Sequence, residues 1–232
     1  MMSEVFFYPI DKTKNITLEC LTSIIGSDTY NSFLDFGGNR GNLLNFPEFK
    51  IRKENYTCVD VSKPAVTYGA THSPESKFIH YNRYSSVYNP YGSKSYNFPD
   101  IDKNQELIFS FSVFTHTDFE ELKNTVNWFK TFNYKKIALS LLDINNINHL
   151  EWFYNKRKEQ FGFCEDIRKY HNSNTNILYF IHNNYCIVDQ EKDDYDDVER
   201  TTSLTFYNLD WVSSTLDCEV EYHANYPFLI IT

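Results

Sequence analysis

Apolar runs short enough to be strands alternate with helix-spaced stretches from residue 31 to residue 142, and this alternation restricts the fold more than any other feature. Residues 31–36 (Asn-Ser-Phe-Leu-Asp-Phe) read as a short buried strand closed by the turn signal Gly37-Gly38-Asn39. The apolar spacing of residues 40–46 predicts a short helix, stopped by Pro47. Residues 56–61 are a second β-rich run. Ser62 can cap the helix that follows, with Pro64 in its first turn, where a missing N–H costs little. Residues 77–81 are a third strand candidate, followed by a Tyr-, Asn-, Gly- and Pro-rich loop over about 82–104. Residues 107–113 are almost uninterruptedly apolar, as expected of a strand covered on both faces. Thr117 or Asp118 caps a helix through Lys130, with Leu122, Val126 and Phe129 on one face, and residues 136–142 form a further strand. Strands alternating with helices predict an α/β fold with a doubly wound, mostly parallel sheet.

The last third departs from that rhythm. Residues 146–160 are patterned as a helix, and residues 177–181 and 186–188 flank His182-Asn183-Asn184-Tyr185 as a hairpin. Residues 190–199 are an acidic run without apolar content, read as a solvated loop. Asn208 caps a short helix through Leu216, and residues 218–222 and 226–231 form a terminal strand pair. The 232 residues thus read as one domain, 1–232, with a cap or insertion at about 160–203. With 41% hydrophobic and 23% charged residues the chain is of globular type, and its 18% aromatics supply a large core. The net charge of −9 argues against a nucleic-acid partner, because such binding needs Lys and Arg to displace counterions. No apolar run approaches the roughly 20 residues of a membrane span, and the start lacks a basic signal-peptide region, so the expected location is cytoplasmic. The five cysteines are odd in number and widely spaced, which indicates a reduced compartment and neither a zinc ribbon nor a disulfide framework.

The chemistry concentrates in Phe33-Leu34-Asp35-Phe36-Gly37-Gly38-Asn39-Arg40-Gly41-Asn42-Leu43-Leu44, where a strand ends in a carboxylate, glycines turn the chain and a helix begins. A doubly wound sheet binds its ligand beyond the carboxyl ends of its strands. The segment is not Gly-x-Gly-x-x-Gly, and Asp35 would repel a pyrophosphate, so a dinucleotide is disfavoured and a cationic ligand is suited. Asp60 ends the second strand, where an acid commonly accepts hydrogen bonds from ribose hydroxyls. An acid for a cationic amino-acid end and an acid for a ribose together describe S-adenosyl-L-methionine.

On these residues the sequence resembles the class I S-adenosyl-L-methionine-dependent methyltransferases over most of residues 30–143. Asp35, Gly37 and Gly41 stand at the expected places of that family's first motif, Asn39 takes a position usually held by Gly, and Asp60 matches the acid after the second strand. Phe78-Ile79-His80-Tyr81-Asn82-Arg83-Tyr84 followed by Tyr88-Asn89-Pro90 resembles the third-strand region and its loop, with Asn82 where an Asp often contacts the adenine amino group. Ser112-Val113-Phe114-Thr115-His116 is similar to the fourth-strand motif of one branch, while Phe132-Asn133-Tyr134-Lys135-Lys136 replaces the usual Lys-Pro-Gly-Gly turn. The resemblance implies a seven-stranded Rossmann-like sheet, with S-adenosyl-L-methionine as cofactor and S-adenosyl-L-homocysteine as product. It implies a cofactor site of Asp35, Gly37, Gly38, Asn39, Gly41, Asp60, Val61, Asn82 and Ser112.

His116, at the carboxyl end of the fourth strand, is the candidate general base, with a structural role as the alternative. Asp143 after the fifth strand is a second catalytic candidate. Tyr84, Tyr88 and His116 are candidate substrate contacts; Tyr81, Tyr84, Tyr88 and Tyr91 either line an acceptor pocket or pack within their own loop, and His149 and Glu151 read as helix-surface residues. Asparagine is abundant, which lowers the weight of any single Asn. The expected activity is methylation of a small polar acceptor, O-directed on a sugar or biosynthetic intermediate. The rivals are methylation of protein or RNA, and a non-catalytic cofactor-binding module.

Overall fold

Every residue of strand β1 (Phe33–Phe36) is buried, so the sheet it belongs to is covered on both faces. The computed structural model describes residues 14–85, 88–161, 166–181, 187–189 and 202–232. Parallel pairing joins β1 to β2 (Tyr56–Asp60) and to β4 (Leu107–Ser110), β2 to β3 (Lys77–His80), and β4 to β5 (Lys136–Ser140). β10 (Tyr226–Ile231) runs antiparallel to β5, and β9 (Glu219–His223) pairs antiparallel with β10. The result is a seven-stranded sheet of order β3-β2-β1-β4-β5-β10-β9.

Alternation along the strands sorts the core into two layers. Leu34 and Phe36 of β1 join Ile108, Ile137, Leu139 and Leu229 under α3 (Phe119–Phe129) and α5 (Leu209–Leu216), which contribute Leu122, Val126, Phe129, Val212 and Leu216. Phe33 joins Tyr56, Cys58, Phe109 and Phe228 on the other face, under Cys20, Leu21 and Ile24 of α1 (Lys14–Ile25). The caps follow the expected chemistry. The Ser62 side chain accepts from Ala65 N at the start of α2 (Lys63–His72), Asp118 from Glu121 N, and Asn208 from Trp211 N. Asp118, of the two residues considered, is the cap of α3.

The last third builds a smaller layer. α4 (Ile147–Phe161) packs with a three-stranded antiparallel sheet of order β7-β6-β8, made of β6 (Ile177–Ile181), β7 (Ile187–Asp189) and β8 (Thr202–Tyr207). Leu150 and Phe153 meet Leu178 and Phe206 there in a separate apolar cluster. The expected hairpin of the two strands is present; its turn, residues 182–186, and the acidic run 190–199 lie outside the described residues.

Two expectations change. The helix expected over residues 40–46 is only a 3-10 turn, Asn42–Asn45, because Gly41 precedes it at φ 77° and Pro47 follows at once. The strand expected over residues 107–113 ends at Ser110, because Ser112 takes φ 60° and turns the chain into the 3-10 turn Phe114–His116. Among the described residues no helix is long and apolar enough to cross a membrane.

Candidate functional site

Because β1 to β5 are parallel, their carboxyl ends lie along one edge of the sheet, and a cavity of about 1310 Å³ opens there. Its wall includes Asp35, Gly37, Gly38, Asn39, Asp60 and Val61 from the ends of β1 and β2. The turn after β1 depends on glycine for two different reasons. Gly37 has φ 79°, donates its N–H to Val59 O at 2.7 Å, and a Cβ there would collide with Val113 Cγ2. At Gly38 the obstacle is Asp35 itself, since a Cβ would meet its carboxylate. Asn39, at the position where the resembled family usually has Gly, takes φ 56°, a left-handed conformation that Asn tolerates better than most residues.

Asp35 is 5% exposed, accepts a 2.5 Å hydrogen bond from Tyr56 Oη, and makes no ion pair with any described residue. Burial pushes its carboxyl up to about 7, against the opposing pull of the Tyr56 bond. Asp60 is held differently. Its Oδ2 accepts from Asn39 N at 2.8 Å and its Oδ1 from Ser62 N at 2.7 Å, so both oxygens are fixed at the cavity edge with lone pairs to spare. Burial raises this carboxyl as well, and the two backbone donors oppose it.

The wall continues through residues after β4 and β5. Ser112 donates its N–H to Ser140 Oγ at 2.7 Å and its hydroxyl lies 3.2 Å from Thr115 Oγ1. His116 sits at the end of the 3-10 turn, exposed, with its N–H on Val113 O, and it lines the cavity together with Tyr84 and Tyr88. Tyr81 lines it too, whereas Tyr91 is 95% exposed and lies elsewhere.

Three expected site residues are not in the cavity wall. Gly41 sits behind it at φ 77°, against the Phe78 ring. Asn82 is exposed, and its Oδ1 accepts from Asn89 Nδ2 at 3.2 Å. Asp143 is buried behind the wall, with Oδ1 accepting from Asn145 N and Oδ2 from Tyr222 Oη, each at 2.8 Å. Asp143 therefore fixes Tyr222, whose phenol is pushed up to about 12 by burial and by this bond.

Sequence reasoning missed the far wall, formed by Asn146, His149, Trp152, Tyr222 and Tyr226 together with Leu204 of β8. His149 is not a helix-surface residue. Its Nδ1 accepts from Asp143 N at 3.3 Å, and burial holds the imidazole below its ordinary value. Arg83 is the one Lys or Arg among the described lining residues, and its Nε is 2.5 Å from Glu121 Oε2.

No protein-family model matches the sequence, and no curated protein is significantly similar to it. Solved structures do match in shape. A protein of Pyrococcus horikoshii OT3 superposes with TM-score 0.51 at 14% identity, covering 94% of this chain and 88% of the other. A Methanococcus maripaludis protein assigned as an S-adenosyl-L-methionine-dependent methyltransferase gives 0.50 at 15% identity, covering 96% and 88%. The methyltransferase domain of a bacterial Hen1 gives 0.43 at 14% identity, covering 94% and 98%. The α/β sheet with one antiparallel strand inserted beside β5 is the class I methyltransferase fold.

Proposed function

We propose that this chain is an S-adenosyl-L-methionine-dependent methyltransferase acting on a hydroxyl of a small polar acceptor, such as a sugar or biosynthetic intermediate. One observation carries the reading: Asp35, the Gly37–Asn39 turn and Asp60 converge at the ends of neighbouring parallel strands on one large cavity. The residues fit the cofactor chemically. A buried carboxylate without a cationic partner suits an ammonium, and an acid with both oxygens anchored by backbone N–H groups suits a ribose diol. Asp35, Gly37, Gly38 and Asn39 would hold the amino-acid end, with Asp60, Val61 and Ser112 on the nucleoside. When bound, the cofactor supplies an electrophilic sulfonium methyl.

His116 then removes the acceptor's hydroxyl proton, while Tyr84 and Tyr88 position the acceptor at the rim. Asp143 acts from behind, orienting Tyr222 and the peptide that bonds His149. Trp152 and Phe153 of α4 and Leu204 of β8 line the cavity, which favours an acceptor chamber over a non-catalytic module. The paired state of Arg83 and the net charge of −9 speak against an RNA acceptor.

The test is calorimetric titration with S-adenosyl-L-methionine, S-adenosyl-L-homocysteine and NAD on the wild type and Asp60→Ala. Binding of the first two but not NAD, lost in the variant, is the expected result; no binding of either overturns the reading. For the base, His116→Ala should keep cofactor affinity and lose roughly 10²–10⁴ in turnover. Undiminished turnover would remove His116 from that role.

A further inference from the structure

We infer that the acceptor hydroxyl is carried on an aromatic ring, a phenol, which stacks on a wall of rings made by Phe111, Tyr226 and Trp152. This rests on the methyltransferase reading and narrows its acceptor class. The cavity of about 1310 Å³ exceeds the roughly 300–1,000 Å³ of a site for one small ligand, so a second ligand fits beside the cofactor. The rings come from three elements. Phe111 follows β4, and Tyr226 opens β10 with its ring centroid 5.5 Å from that of Phe111. The His149 ring of α4 lies 6.4 Å from Tyr226. Trp152 stands three residues further along α4, a spacing that puts two side chains on one helix face, and it is 53% exposed while lining the cavity. A Trp left half open on a cavity wall offers a flat ligand a stacking surface.

Charged groups around this wall are already engaged within the protein. Arg83 is paired with Glu121, Asp118 caps α3 by accepting from Glu121 N at 2.7 Å, and Asp143 behind the wall holds Tyr222. His149 bonds the Asp143 and Asn225 backbones, and burial disfavours its charged form. A sugar brings a hydroxyl on nearly every carbon, and each one taken from water without a partner opposes binding. A phenol brings one, and its ring gains from leaving water and from stacking. An anionic acceptor would meet only the paired Arg83 as a Lys or Arg among the described lining residues. A cationic one would lie beside the cofactor's sulfonium, a like charge. Phe111 and His116 both follow β4, so ring wall and base rise from the end of one strand. A phenol ionises near pH ~10, far below an aliphatic alcohol, so an imidazole suffices as its base. In the transfer the phenol oxygen gives its proton to His116 and bonds the methyl carbon, whose bond to sulfur breaks with the electron pair staying on sulfur.

The experiment is calorimetric titration of the protein, loaded with S-adenosyl-L-homocysteine, with three probes: 4-methylphenol, 4-methylcyclohexanol and methyl α-D-glucopyranoside. The first two carry one hydroxyl on rings of similar size and differ in aromaticity. The phenol should bind roughly 5–10-fold more tightly than the cyclohexanol, the worth of ring stacking, and the glucoside more weakly still. Trp152→Ala should lose most of that preference, Trp152→Phe should restore it, and both should keep wild-type affinity for S-adenosyl-L-homocysteine. Equal binding of phenol and cyclohexanol, tighter binding of the glucoside, or no binding of the phenol overturns the inference. So does an unchanged preference in Trp152→Ala, or a loss of S-adenosyl-L-homocysteine affinity with it, which is the mark of a disturbed fold. A wild type that fails to bind S-adenosyl-L-homocysteine overturns the methyltransferase reading itself, whereas a loaded wild type indifferent to the phenol overturns only this assignment.

Discussion

Asp35 is the residue whose chemistry can be followed by pH alone. Its carboxyl titrates at about 7 in the folded chain against 3.8 for the ordinary group, with burial as the main cause. For an acid raised on folding, the stabilising contribution is full below the unfolded value and disappears as pH rises toward the folded one. Ligand-free stability should therefore fall from this group between about pH 4 and 7, and Asp35→Asn should flatten that slope in melts across the range. A cationic ligand favours the ionised form, so S-adenosyl-L-homocysteine affinity should rise with pH and level off above about 7. Titration at pH 6 in buffers of different ionisation heat should show a proton released on binding; no release would deny that Asp35 meets the ammonium. Gly38→Ala probes the same contact sterically, since its Cβ would press on this carboxylate, and it should abolish binding with the sheet intact.

At the scale of elements, the loop after β3 is tied to α3 by one guanidinium. Arg83 bonds Glu121, donates to the Ser93 and Lys94 carbonyls, and lies 4.1 Å over the Tyr96 ring, with the two charged side chains only 13% and 11% exposed. Removing one partner leaves a nearly buried charge, so Glu121→Ala should cost about 3–5 kcal/mol in urea denaturation. An Arg83→Met, Glu121→Leu double variant should recover much of that loss, because neither charge is then stranded. Sequence patterning could not announce this tie, which joins residues far apart in the chain. What it does announce is local. The caps at Ser62, Asp118 and Asn208 and the strands of the parallel sheet follow from nearby residues. α1 has no counterpart among the sequence expectations, since Ile16, Thr17, Thr22, Ile24 and Ile25 mute its helix propensity and its packing under Phe33 holds it. β8 escapes for a similar reason, because its pairing with β6 crosses the acidic run.

The same division separates the two halves of the cavity in the whole molecule. The side we propose for the cofactor draws on residues 35–61 with Ser112 after β4, a stretch short enough for spacing alone to reveal. The side proposed for the acceptor draws on Arg83, His116, His149, Trp152, Tyr222 and Tyr226, which separate elements bring to one cavity only when the chain has folded. A ligand on the first side therefore touches β1, β2 and the turn after β4 at once, and should stabilise the molecule as a unit. At a concentration one hundred times its dissociation constant such a ligand adds about 2.7 kcal/mol. For a domain of this size each kcal/mol moves the melting temperature by roughly 2–4 °C. S-adenosyl-L-homocysteine at that ratio should thus raise the midpoint by roughly 5–10 °C in a single transition, and NAD should leave it in place. Asp60→Ala should lose the shift, since the fixed ribose acceptor is gone, while His116→Ala should keep it, since its role begins with the acceptor. A shift retained in Asp60→Ala would place the ligand elsewhere in the molecule.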